Sequence, residues 1–246
     1  MITNNPNTNN PTTEQPNEQN QGNIEKTSIK SLNELGQNSP PSHMESDIHT
    51  IPIVGQIEGH QVLPSKNKTT KYEHIIPQLV AVEENPKIKG LMIILNTVGG
   101  DIEAGLAISE MISSMNTPTV SLVLGGGHSI GVPVATAADF SLIVASASMT
   151  IHPIRLSGNI IGVPQTYEYL DKMQDRVISF VTRHSAIDEN TFRNLMFQTG
   201  ELVRDVGTVL IGNEAVENGI INQVGGLYQG LSQLRTMIEN RGGGVH

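Results

Sequence analysis

The sequence predicts an α/β fold with a mainly parallel sheet, and three observations support this prediction. Apolar runs of strand length alternate with helix-like segments along most of the chain. Two of these runs, Lys89–Thr97 and Thr119–Gly125, are continuously apolar, which is typical of strands buried on both faces. A glycine-rich turn follows each of them. Because the carboxyl ends of parallel strands meet at one edge of a sheet, we expect a functional site at that edge.

The first 46 residues differ in composition from the rest of the chain. They are rich in Asn, Gln, Pro, Thr and Ser and contain no aromatic residue. Such a segment cannot bury enough apolar surface to offset its conformational entropy. We therefore expect residues 1–46 to form a disordered tail and residues 47–246 to form one folded domain.

Composition also narrows the class of function. The absence of cysteine excludes thiolate catalysis and thiolate metal sites, and it fits a reducing compartment. A formal net charge of −9 argues against nucleic acid as a partner. The sequence shows neither a signal-peptide pattern nor an apolar run of about 18 residues or more. We therefore expect a cytoplasmic protein without a membrane span.

The first elements of the domain alternate between strand and helix. Ile48–Glu58 alternates in polarity and is rich in β-branched residues, which is typical of a strand. Tyr72–Pro86 has a helical pattern that ends at a proline. After the buried strand Lys89–Thr97, the apolar residues of Ile102–Met115 recur at helical spacing.

The elements in the middle of the domain are short. The second buried strand, Thr119–Gly125, precedes a helix of small residues over Gly131–Asp139. Phe140–Ser146 and Ser148–His152 are apolar and β-branched, so we expect two strands. Pro153 ends the second of them because it has no N–H for the ladder.

The last part of the domain begins with a long helix. Pro164–Ser185 is amphipathic, and Asp188–Gln198 is a helix that opens with an acidic cap. A short strand over Gly207–Gly212, a helix over Asn213–Gly219 and a last strand over Ile220–Gly226 complete the alternation.

The turn GGGHSIG, Gly125–Gly131, carries the candidate nucleophile Ser129. A nucleophilic serine needs a sharp strand-to-helix turn that exposes its hydroxyl, and glycines allow the unusual dihedral angles. A helix that starts after Ser129 aims free N–H groups at the site, which makes the Ile130 N–H a candidate oxyanion donor. The turn only approximates the G-x-S-x-G pattern, so a serine that caps a helix is the alternative.

The turn NTVGGDIEAG contains the pair Gly99 and Gly100. Their N–H groups are candidates to bind an anion or a carbonyl oxygen, and a tight turn is the alternative. His152 ends a later strand, so a parallel sheet brings it to the edge that holds Ser129, where it is the candidate base. His128 adjoins Ser129, but neighbouring residues on a turn usually point apart.

The order of these motifs resembles the Clp protease proteolytic subunit family (peptidase family S14). The family places INSPGG…AG after one strand, GxAxSMG after the next, and M-I-H-Q/P at the end of a later strand. This chain has ILNTVGGDIEAGLAI, LGGGHSIGVPVATAAD and ASMTIHPI in that order, followed by AVENGIINQVGGL. The resemblance extends from about Ile51 to Leu227. It is strongest to the translocation-enhancing branch, which has a polar N-terminal extension and TVGG in place of SPGG.

The resemblance implies a ClpP/crotonase-like spiral fold and a homo-oligomeric ring, which is heptameric in the family. It implies a serine endopeptidase with Ser129 as nucleophile and His152 as general base. The N–H groups of Gly99 and Ile130 would form the oxyanion hole, with Gly100 beside them. Such an enzyme acts on polypeptides and needs no metal or cofactor. A separate unfoldase would supply any use of ATP, because the chain has no phosphate-binding loop motif.

The third member of the triad is where this chain departs from the family. The direct equivalent of the family's aspartate is Gly207, which has no side chain. The nearest acid is Asp205, and a two-residue insertion would bring it into register. We therefore expect Asp205 to orient His152.

Three other functions stay open at this point. A crotonase-type acyl-CoA enzyme would use the paired amides to hold a thioester enolate, but it does not need Ser129 and His152. A catalytically weak or inactive adaptor in protein export fits the missing aspartate and the polar tail. A Ser–Lys dyad would require Lys172, which lies on the long helix, where a lysine most often faces solvent.

Overall fold

The computed structural model describes residues 46–156, 162–200 and 206–242. The predicted tail, residues 1–46, lies outside the described residues except for Ser46, where the compact unit begins. Within those ranges no helix has both the length and the apolarity needed to cross a bilayer.

Strands and helices alternate along the described chain. The strands are β1 (Ile48–Glu58), β2 (Thr69–Lys71), β3 (Gly90–Gly100), β4 (Thr119–Gly127), β5 (Phe140–Ile143), β6 (Ser148–Ile151), β7 (Thr208–Ile211) and β8 (Gln223–Val224). The helices are α1 (Tyr72–Glu84), α2 (Ile102–Ser113), α3 (Gly131–Thr136), α4 (Val163–Arg183), α5 (Glu189–Phe197), α6 (Asn213–Glu217) and α7 (Leu227–Gly242).

The sheet is mainly parallel, as the sequence predicts. Its strand order is β2-β1-β3-β4-β5-β8, and every neighbouring pair along this path is parallel. β6 pairs in parallel with β4 through Gly126 and Ser148, and antiparallel with β7. The carboxyl ends of β3, β4 and β6 therefore meet in one region, which is where the candidate site residues lie.

The core is built from the central strands and the helices that cover them. Apolar side chains of β1, β3 and β4 pack against those of α1, α2 and α3, and Ile53, Leu95 and Val123 are completely buried. Each such side chain contributes roughly 1.5–3 kcal/mol to the free energy of unfolding. This packing makes the central strands a rigid base for the turns at their ends.

The two strands that lead into the glycine-rich turns are longer than the sequence predicts. β3 continues to Gly100 and β4 to Gly127, because Gln56 pairs with Gly99 and Thr97 pairs with Gly127. Gly100 lies so close to β1 that a Cβ there would be 2.1 Å from the Ile57 carbonyl oxygen. The glycines at the ends of β3 and β4 are therefore part of the sheet and lengthen these strands.

Candidate active site

Ser129 lies in the turn between β4 and α3 and is held in a strained conformation. Its φ is 55°, and among the described residues it is the sole non-glycine residue with a positive φ. Its N–H donates to the Thr150 carbonyl of β6 at 2.8 Å, and its own carbonyl accepts from the Val132 N–H at 2.9 Å. Strain of this kind at a strand-to-helix turn is typical of a nucleophile elbow.

Gly99 packs directly against this turn. It has a φ of 86°, and a Cβ there would lie 2.7 Å from the His128 carbonyl oxygen and 2.8 Å from Ser129 Cβ. A side chain at this position would push the serine turn away. The structure therefore brings together the glycine pair and the serine turn that the sequence singles out.

The two candidate oxyanion donors differ in their hydrogen bonding. Among the described residues, the Ile130 N–H forms no hydrogen bond to a backbone carbonyl. The Gly99 N–H donates to Thr97 Oγ1 at 3.0 Å, and the Thr97 hydroxyl in turn donates to the Gly55 carbonyl at 2.6 Å. The Ile130 N–H is thus available to a ligand. The Gly99 N–H would bind a ligand only if it shared or gave up its hydrogen bond to Thr97 Oγ1.

His152 follows β6 and lines the same cavity as Ser129. Its Nδ1 is 2.7 Å from the Pro153 carbonyl oxygen. Because a carbonyl oxygen can only accept, this contact places the proton of the neutral ring on Nδ1. Nε2 is then the basic nitrogen, as a general base requires.

His128 adjoins Ser129 in sequence but its ring contacts other groups. Its Nδ1 is 2.8 Å from Thr150 Oγ1, and its Nε2 lies beside Gly126. Burial lowers the pKa of His128, and the nearby charge of His152 lowers it further. These effects favour the neutral form of His128, and sequence reasoning assigned this residue no role.

The position opposite His152 is occupied by glycine. The β6–β7 ladder ends at the pair of Ile151 and Thr208, and Gly207 is the next residue along. A Cβ at Gly207 would lie 2.4 Å from the Ile151 carbonyl oxygen and 2.8 Å from His152 Cβ. Asp205, the predicted third member of the triad, lies outside the described residues.

The cavity beside Ser129 and His152 has a volume of about 160 Å³. Its remaining wall is largely apolar and comes from α2, α3, α4, α5 and the segment after β6. The apolar side chains of this wall are Ile102, Ile130, Val132, Ile154, Val177, Phe192 and Met196. Such a wall fits an apolar side chain next to a carbonyl that Ser129 can reach.

The structure also bears on a Ser–Lys dyad and on a metal site. Lys172 is exposed and lines a separate groove with Glu103 and Arg176, so it does not reach the cavity of Ser129. Within the described ranges, no group of three or more histidine or carboxylate side chains is arranged to hold a metal ion.

The mainly parallel sheet, with a strained serine at a strand end and a histidine in the same cavity, has the features that the sequence predicts for a Clp-like fold. The sequence model described as Clp protease matches residues 47–227. The chain therefore belongs to the Clp protease family.

Two characterised relatives extend this assignment. The chain is 62% identical over 213 residues to the translocation-enhancing protein TepA of Halalkalibacterium halodurans, an alignment that covers 87% of this chain and 83% of the relative. It is 26% identical over 124 residues to the ATP-dependent Clp protease proteolytic subunit of Leuconostoc citreum, covering 48% of this chain and 62% of that protein.

A solved structure agrees with the predicted fold class. A mutant of ClpP1 from Listeria monocytogenes superimposes with a TM-score of 0.58 at 20% sequence identity, covering 74% of this chain and 94% of the other. At that identity the likeness concerns the fold, and it confirms the prediction of a ClpP-like α/β fold.

Proposed function

We propose that the chain is a serine endopeptidase of the Clp type that hydrolyses peptide bonds in polypeptides. The observation that carries the proposal is that Ser129, His152 and Ile130 line one cavity. The strained φ of Ser129 and the Nδ1 contact of His152 support the roles of nucleophile and base. Membership of the Clp protease family supports the same reaction.

In the proposed mechanism, Ser129 Oγ attacks the carbonyl carbon of the scissile peptide while Nε2 of His152 accepts the hydroxyl proton. The Ile130 N–H stabilises the oxyanion, joined by the Gly99 N–H when it exchanges Thr97 Oγ1 for the oxyanion. His152 then gives the proton to the leaving amine. Water, activated by the same histidine, hydrolyses the acyl-enzyme, and no step requires a metal or cofactor.

The apolar wall of the cavity supports a preference for an apolar side chain on the residue whose carbonyl is attacked. Burial of such a side chain against Val132, Phe192 and Met196 would stabilise the bound substrate by roughly 1.5–3 kcal/mol. Polypeptides with exposed apolar segments are therefore the proposed substrates.

The setting we propose is a homo-oligomeric ring in the cytoplasm, supplied with unfolded polypeptide by a separate ATP-dependent unfoldase. The 62% identity to a protein named for enhancing translocation supports an involvement in protein export. The net charge of −9 supports a partner other than nucleic acid.

Labelling of the purified protein with a fluorophosphonate probe tests the proposal. Ser129→Ala is expected to abolish labelling, and His152→Ala to slow it by about 10³-fold or more, because the hydroxyl loses its base. Ser114→Ala removes an exposed hydroxyl at the end of α2 and serves as the matched control. A folded wild-type oligomer that the probe leaves unmodified would contradict the proposal.

A second candidate is a non-catalytic adaptor in protein export. The observation that favours it is Gly207, which stands beside His152 where the family has an acid. A secretion defect in cells lacking the protein, fully restored by the Ser129→Ala variant, would favour the adaptor over the peptidase.

A further inference from the structure

We infer that Gln174 is a positioning residue, which orients the imidazole of His152 through the peptide group between Pro153 and Ile154. The inference rests on the proposed function, since it concerns the base of that reaction. Among the described residues, it gives His152 a neutral support that is mediated by a peptide group.

The peptide group between Pro153 and Ile154 is hydrogen-bonded at both ends. Its carbonyl oxygen accepts from His152 Nδ1 at 2.7 Å. Its N–H, which belongs to Ile154, donates to Gln174 Oε1 at 3.4 Å. A continuous chain of donors and acceptors therefore leads from α4 to the ring that lines the cavity with Ser129.

Gln174 is placed to act as a fixed anchor for this series of hydrogen bonds. It is 8% exposed on α4, and the nearby Val177 and Ile178 are buried as well. A polar side chain buried in an otherwise apolar wall needs a hydrogen-bond partner, because its desolvation is costly without one. The Ile154 N–H is such a partner, so the amide and the peptide restrain each other.

The backbone between the ring and the anchor has little freedom. Proline fixes the φ of Pro153 and restricts His152, the residue before it, to extended conformations. Because hydrogen bonds in series polarise one another, the Gln174 contact also strengthens the Pro153 carbonyl as an acceptor. The arrangement therefore favours one tautomer and one ring orientation of His152.

The surroundings of His152 leave room for this role. Gly207, the residue before β7, lies beside His152 and offers no side chain. Within the described ranges, no carboxylate forms a hydrogen bond or an ion pair with His152. The Pro153 carbonyl is thus the acceptor that the structure assigns to Nδ1.

Three variants compared by fluorophosphonate labelling rate test the inference. Gln174→Met keeps the length of the side chain without its acceptor and is expected to slow labelling about three- to tenfold. Gln174→Glu keeps an acceptor oxygen and is expected to restore most of the rate. Gln165→Met, at an exposed position of the same helix, is the matched control and is expected to leave the rate unchanged.

Asp205→Asn tests the alternative that a carboxylate orients His152. If Gln174 positions His152, Gln174→Met slows labelling in the Asp205→Asn background as well as in the wild type. A loss of about 10²-fold or more in Asp205→Asn, with Gln174→Met unaffected, would assign the role to the carboxylate and overturn the inference.

A measurement that does not depend on catalysis separates this inference from the proposed function. Long-range ¹H–¹⁵N spectra of histidine-labelled protein report which ring nitrogen carries the proton, and the His152 signals are identified by their loss in His152→Ala. The expected result is protonation at Nδ1 in the wild type and a mixture of tautomers in Gln174→Met. Protonation at Nε2 in the wild type, or identical spectra for both proteins, would overturn the inference even where labelling fails.

Discussion

Ser129 is fixed by three elements at once. β4 leads into it, its N–H is bonded to β6, and its carbonyl accepts the N–H of Val132 in the first turn of α3. A φ of 55° costs of order 1–3 kcal/mol in a residue other than glycine. The conformation persists because the surrounding hydrogen bonds hold the backbone in place. The backbone of Ser129 is consequently held at the edge of the cavity that His152 also lines.

His128 gives a prediction about pH and stability. Burial, and then the charge of His152, lower its pKa in the native protein below the ordinary value of about 6.5 that the unfolded chain retains. As the pH falls through about 6.5, the unfolded state takes up a proton that the native state resists, so the free energy of unfolding decreases. Above that pH this contribution to stability is fully present.

Urea denaturation of the wild type and His128→Asn at pH 7.5 and pH 5.5 measures this effect. The decrease in the free energy of unfolding between the two pH values is expected to be smaller in the variant. Asparagine is chosen because its amide nitrogen can replace Nδ1 towards Thr150. Equal decreases in both proteins would contradict the assignment of the lowered pKa to His128.

The candidate site residues that sequence reasoning singled out sit in local motifs. Gly99, Ser129 and His152 lie at or just beyond the end of a strand, so the parallel topology by itself predicts that they meet. Gln174 lies in the middle of a helix, and its contact with Ile154 depends on how α4 packs, which no spacing in the sequence reveals. The Thr97 bond to the Gly99 N–H likewise depends on dihedral angles that residue types do not fix.

At the scale of elements, the antiparallel pair of β6 and β7 controls the position of His152. β6 carries His152 at its end, and β7 approaches it through Gly207, whose φ is 136°. Space for a side chain is absent there, since the Ile151 carbonyl and His152 Cβ lie within 3 Å of an ideal Cβ. The close approach of the two strands therefore depends on this glycine.

Gly207→Ala is expected to lower the free energy of unfolding by about 1–3 kcal/mol more than Gly200→Ala. Both residues have a positive φ, but a Cβ at Gly200 meets nothing within 4 Å, so the control isolates the cost of backbone strain. The labelling rate of Ser129 should fall in Gly207→Ala, because the start of β7 must shift away from His152. Equal stabilities of the two variants by urea denaturation would refute this account.

The strand ends at the glycine turns show why element boundaries were predicted less well than element types. Glycine is a weak strand former, so the predictions ended β3 at Thr97 and β4 at Gly125. In the structure the glycines continue the ladder because their lack of side chains allows neighbouring backbones to approach. The short strand β2 and the helix α7 were not predicted.

At the scale of the whole molecule, the first half of α4 stands out as uncovered. The buried residues of this helix begin at Gln174, whereas Val163, Tyr167 and Tyr169 are 70%, 71% and 54% exposed. Large apolar side chains left exposed along one segment are typical of an interface.

We expect this segment to take part in oligomerisation. Native mass spectrometry of the wild type should show a ring, with seven protomers as the family implies, and a double change of Tyr167→Ser and Tyr169→Ser should shift the population to smaller species. Tyr228→Ser, at an 80% exposed tyrosine of α7, is the matched control. A wild-type monomer, or a double variant that assembles like the wild type, would contradict the expectation.

The fold class was predictable because it depends on the order of strands and helices. Errors of a few residues at each boundary do not change that order. The predicted domain over residues 47–246 and the role of Asp205 stay predictions, the latter because residue 205 lies outside the described ranges. Register in that part of the chain depends on the length of the connection between α5 and β7, which local periodicity does not determine.

The hydrogen bond from the Ser129 N–H to the Thr150 carbonyl joins the turn of the proposed nucleophile to the strand that precedes the proposed base, His152. Ser129 and His152 are 23 positions apart in sequence, but this hydrogen bond couples their positions. A neighbouring subunit or bound chain that displaces β6 would move both residues together. Such a displacement would change the positions of Ser129 and His152 in the same step.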